Sequence, residues 1–101
     1  MKKDHDLIRK FQNGSQSAFN ELVTKHLDSV FGFFLKYTKN PMEAEDLSQD
    51  VFIKLYKSLK HFRFESKFKT YLFRISLNTA HSFVQRDRWK SLFHIDEIPE
   101  P

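Results

Sequence analysis

Apolar positions recur at helical spacing along nearly the whole chain and divide it into four segments. On a wheel of about 100° per residue, Ala44, Leu47, Val51, Leu55 and Leu59 align, with Phe52 beside them. This predicts a helix over 41–61 with one side packed inward. Asn40 is placed to cap it, Pro41 suits its first turn, and Glu43 stands where a capping-box acid reaches back. The opposite side aligns Asp46, Gln49, Asp50, Ile53 and Lys57. Ile53 is the apolar exception in that polar stripe, which marks a surface meant to be covered by something else.

The flanking segments read the same way. Leu7, Ile8 and Phe11 form the apolar edge of a short helix over 4–12, with Asp4 as its cap and Asn13-Gly14 as its stop. Ser15 or Ser17 caps a second helix, 16–38, whose inward set is Phe19, Leu22, Val23, Leu27, Val30, Phe31, Phe34 and Leu35. After Phe62 the period lapses at RFESKF, which predicts a loop, and Ser66 is placed to cap a last helix over 67–89. There Phe68, Leu72, Phe73, Ile75, Leu77, Thr79, Ala80, Phe83 and Val84 make a broad apolar arc. Lys67, Arg74, Asn78, His81, Gln85 and Arg88 fall in a narrow stripe opposite it, with Arg86 and Lys90 near its end. The predicted fold is all-α: a compact bundle of four helices in one domain, residues 1–90. Residues 91–101, acidic and carrying two prolines, read as the start of a linker or a tail.

Composition supports that class. Two Gly and three Pro leave little punctuation for hairpins, and twelve Phe exclude a disordered chain. Without Cys there is no disulfide scaffold and no cysteine zinc site, which is compatible with a cytoplasmic protein. No signal peptide opens the chain, and no run approaches the ~18 apolar residues of a membrane helix. The net charge of +4 is unevenly spread: −1 over residues 1–53, +8 over 54–90 and −3 over 91–101. A basic block in one third of a small domain is a footprint for a polyanion. Arg, Asn and Gln are suited to phosphates and base edges, so the last helix is the candidate nucleic-acid surface. The alternative is a basic helical module that binds an acidic protein or an anionic surface. Five His lack the i, i+4 spacing of a helical metal site, and there is no Gly-rich phosphate loop, so neither cofactor nor catalysis is expected.

AEDLSQDVFIKLYKSLKHF followed by YLFRISLNTAHSFVQRDRW resembles region 2 of bacterial sigma factors, the extracytoplasmic-function type most of all. The resemblance spans Phe11 to Trp89. It implies a non-catalytic domain for transcription initiation that docks on the RNA polymerase core, at the β′ clamp coiled coil, through Asp46, Gln49, Asp50 and Ile53. It also implies opening of the promoter minus-ten element and capture of its non-template strand. On that reading Arg63, Lys67 and Lys69 meet phosphates, and Phe64, in preference to Phe62, stacks on a base. Arg74, Asn78, His81, Gln85, Arg86 and Arg88 line the strand. Tyr71 stands where the family usually has Trp, and Ser82 where it often has Asp. Inhibition by an anti-sigma factor is implied by the family alone. The family's C-terminal helix-turn-helix has no counterpart in these residues and is expected to lie outside them.

Overall fold

The computed structural model describes residues 3–93, with side chains as far as residue 88; most of the acidic segment expected to be a tail, residues 94–101, lies outside them. Four helices follow in order: α1 (Asp4–Gln12), α2 (Gln16–Thr38), α3 (Pro41–Ser58) and α4 (Phe68–Phe93), with one 3₁₀ turn, Leu59–His61, closing α3. The last helix thus runs past position 89 into the segment read as a linker.

The helix ends follow local chemistry. Gly14 sits at φ 104°, its N–H donates to Phe11 O at 2.9 Å and the Ser15 N–H donates to Lys10 O at 2.9 Å. This is a Schellman closure of α1, which a glycine makes without steric cost. Ser15 then caps α2, its Oγ accepting the Ala18 N–H at 3.2 Å. Lys39, at φ 57°, ends α2 by donating to Leu35 O. Asn40 Oδ1 accepts from the N–H groups of Met42 and Glu43. The Asn40 N–H goes to Thr38 Oγ1 at 3.2 Å, so no capping box through Glu43 is needed.

The helices bury the expected α1 and α3 faces. Leu7, Ile8 and Phe11, and Ala44, Leu47, Val51, Phe52 and Leu55, all reach the core. Two expectations need correction. Leu27 is 44% exposed, and His26, one residue earlier and about 100° around the helix, is buried in its stead. In α4 the arc is shifted: Phe73 and Leu77 are 52% and 46% exposed, Thr79 and Ala80 are buried as expected, and Ser76, outside the predicted arc, is buried with them. Ser76 and Thr79 return their hydroxyls to the carbonyls of Leu72 and Ile75, so burying them strands no polar group.

His26 is tolerated inside because Asp4 meets it. Asp4 does not cap α1; its carboxylate bonds His26 Nε2 at 3.1 Å and Lys25 Nζ at 2.8 Å, tying α1 to α2. Burial pushes the Asp4 carboxyl up, but the hydrogen bonds from Lys25 and His26 and their charges outweigh it and hold it below its ordinary value. A carboxyl held down in the folded state stabilises fully above its unfolded pKa of about 4, and that contribution is lost as pH falls through the lower folded value. Asp4→Asn is therefore expected to lower the melting temperature at pH 7 by about 5 °C. It should also flatten the acid limb of a stability–pH curve; an unchanged acid limb would count against the bridge.

Candidate nucleic-acid interface and docking face

The loop between the 3₁₀ turn and α4 forms one side of a cleft. Phe62 is buried, whereas Phe64 takes φ 61°, an unusual backbone for an aromatic residue. That backbone sends the Phe64 ring toward α1, where it lies edge-on to His5 at 5.1 Å, 5.0 Å from Phe62, with the Arg9 guanidinium 4.8 Å away. On the other side of the loop opens a cleft of about 500 Å³. Phe62, Tyr71 and His61 supply its rings, Arg63 and Arg74 its cations, and Ser58, Glu65 and Ser66 its polar edge. The expected stacking ring, Phe64, is not among them. The Tyr71 ring lies 4.9 Å from Phe62, and its hydroxyl donates to Ser58 Oγ at 2.6 Å. An aromatic wall beside two cations can take a stacked base and its phosphate, with about 1–3 kcal/mol from each stacking contact. Sequence reasoning reached Tyr71 only through the resemblance, at the family's Trp position, and missed Ser58 and His61 as lining residues. The three come from separate elements, and no local period relates Ser58 to Tyr71.

From this cleft α4 carries Arg74, Asn78, His81, Gln85 and Arg88 outward along one exposed face, over about 21 Å. Lys67 is exposed at its start and Arg63 in the loop. Small buried residues let α4 sit close on α3, and Lys54 Nζ donates across to Thr79 Oγ1 at 2.9 Å, which fixes the stripe's orientation. Two expected members stand apart. Lys69 lies about 140° from Arg74 and lines a cleft of about 210 Å³ against α2, beside Phe33 and Phe73. Arg86 is one residue from Gln85 and so about 100° away; it faces Glu43, Asp46 and Asp50 across a cleft of about 240 Å³.

The outward stripe of α3 is likewise divided. Gln49 and Ile53 line a groove of about 990 Å³ between α2 and α3, walled by Leu27, Phe31, Phe19 and Tyr56. Asp46 and Asp50 lie over the ridge, in the small cleft with Arg86. Ile53 is 54% exposed, and with the displaced Leu27 it makes a mostly apolar groove rimmed by Asp28, Glu45 and Lys57. A groove between two helices suits a partner helix, with rim charges that set its register. Among the described residues no cluster of His, Asp and Glu could hold a metal, and no helix is long and apolar enough to cross a membrane.

The chain has relatives. The family model for sigma-70 region 2 matches residues 22–90. The RNA polymerase sigma-H factor of Pseudomonas aeruginosa is 38% identical over 78 residues, which is 77% of this chain and 40% of that protein. The ECF RNA polymerase sigma-E factors of Haemophilus influenzae and Escherichia coli are 38% and 37% identical over 81 residues, 80% of this chain and 42% of each. The chain thus spans about two fifths of the length of these curated relatives. An NMR structure of an engineered region 2 of sigmaE in complex with GTAAAA shares the fold, with a TM-score of 0.79 at 33% identity over 90% of this chain and 94% of that one.

Proposed function

The chain belongs to the sigma-70 region 2 family, and on that premise we propose that it is a non-catalytic, cytoplasmic specificity domain of transcription initiation, with one face for polymerase and one for promoter DNA. The observation that carries the DNA half is the cleft at the head of α4. Phe62 and Tyr71 face the space into which Arg63 and Arg74 also project, and the exposed Arg/Asn/His/Gln stripe leads away from it. Such a surface takes an extruded base in the cleft and the strand that follows along the stripe. Opening the minus-ten duplex then amounts to trapping a non-template base that stacks better in the protein than in the helix. The structural neighbour with GTAAAA supports a single strand of this kind as ligand. Arg63, Lys67, Arg74, Asn78, His81, Gln85 and Arg88 are the proposed strand contacts, with Tyr71 and Phe62 as the stacking pair. Phe64, Lys69 and Arg86, which do not line this cleft, are left out of the proposed contact set.

The docking half rests on the α2/α3 groove. Gln49 and Ile53, with Leu27, form its centre; Asp50 and Asp46 flank it for the basic residues of a β′ clamp coiled coil. An anti-sigma factor would compete for the same apolar surface.

Binding of the GTAAAA hexamer across a salt series tests the DNA half. Arg74→Ala and Arg88→Ala should each weaken binding and reduce the salt slope by about 0.7, the single-strand value per phosphate contact. Slopes equal to wild type would remove these residues from the strand path. Binding to heparin and to any oligonucleotide alike, without base preference, would favour the basic interaction module.

A further inference from the structure

We propose that α1 is a splint for the base-binding loop: Gln12, His5 and Arg9 hold residues 62–67 in the backbone course that opens the cleft, and Gln12 is the positioning residue among them. The proposal rests on the promoter-strand reading above and assigns to α1 a share in base selection. The match to the family covers residues 22–90 and so begins after α1.

His5, Arg9 and Gln12 stand at i, i+4 and i+7, on one face of α1. That face is separate from the one carrying Leu7, Ile8 and Phe11 into the core, which already docks the helix. All three side chains turn to the loop. Gln12 Nε2 donates to Leu59 O at 3.0 Å and to Phe62 O at 3.1 Å, the carbonyls on either side of the point where the chain leaves the helix. Leu59 O already accepts the Phe62 N–H at 3.1 Å, and the Gln12 amide adds a second donor there while it also meets Phe62 O, so one side chain spans the point where the loop begins. His5 Nε2 lies 3.3 Å from Ser66 O, near the loop's far end. Between these anchors, Phe64 keeps its left-handed φ of 61° with its ring against His5 and under Arg9. A phenylalanine stays in that region only where its surroundings over-determine it. Anchoring at both ends and the middle turns Phe64 away from the cleft and leaves Phe62, Arg63 and Ser66 to line it.

Gln12→Glu keeps the side chain's length but removes both donors. Its test has two arms on the 101-residue chain. In the free protein, backbone order parameters of Glu65, Ser66 and Lys67 are expected near about 0.85 in wild type and below about 0.6 in the variant. In the second arm the variant binds the GTAAAA hexamer about tenfold more weakly. Its preference for that hexamer over single-base replacements collapses while the salt slope is unchanged. A loop as rigid in a folded Gln12→Glu as in wild type overturns the splint. So does weaker binding accompanied by a smaller salt slope, which would place the effect on phosphates. Should Gln12→Glu not fold, the pair His5→Ala and Arg9→Ala, outside the core, reads the same loop amides with the same expected loss. If wild type itself shows no preference among hexamers, the promoter-strand reading falls while the order parameters still decide the splint.

Discussion

Ile53→Glu should cost the domain at least about hundredfold in affinity for the isolated β′ clamp coiled coil, close to 3 kcal/mol, while its melting temperature stays within a few degrees of wild type. Ile53 lies 54% exposed at the mouth of the α2/α3 groove, so its removal takes almost nothing from the core. In a docked complex the same position is desolvated. A carboxylate there would be stripped of its water on docking, and the rim Lys57, one turn further along α3, would offset only part of that cost. Titration calorimetry against the clamp fragment reads the loss directly. Gln49→Ala should weaken docking more than Asp50→Ala, because Gln49 lines the groove and Asp50 sits over the ridge beside Arg86. Equal retention of wild type and Ile53→Glu would move the polymerase face off this groove.

Phe68→Ala is expected to destabilise the domain by about 4 kcal/mol, a large part of the ~5–15 kcal/mol that holds a domain of this size together. Phe68 is 2% exposed and its ring meets the buried His26 ring edge-on at 5.1 Å. Truncation empties the place where the first turn of α4, α2 and the Asp4–His26 bridge converge. Urea unfolding would show the midpoint falling with its slope unchanged. Phe73→Ala and Leu77→Ala serve as internal contrasts. The hydrophobic pattern places both on the same arc as Phe68, but they are about half exposed, and each should cost less than about 1 kcal/mol. Comparable losses at all three positions would contradict the packing of α4.

The four helices and their order could be read from the chain because the boundaries between α1, α2 and α3 have local causes: Gly14 for the first turn, Ser15 and Asn40 for the caps, Pro41 at the start of α3. The inward face of α3 was equally legible, since one unbroken 3.6-residue period of Ala, Leu, Val and Phe leaves no second solution. The exposed stripe of α4 follows from the same geometry. What the pattern could not settle were positions decided by partners distant in sequence. His26 is inside and Leu27 outside because Asp4, 22 residues earlier, satisfies the imidazole. Lys69 and Arg86 carry the charge expected of strand contacts, but the rotation of α4 about its axis, set by the packing of Ser76, Thr79 and Ala80, turns them to α2 and α3. Phe62 and Tyr71 line the cleft and Phe64 does not, where the loop meets α1, about 50 residues away along the chain. Local periodicity fixes which side chains share a helix face; only the assembled bundle decides which of those faces meet, and a cleft exists only where they do.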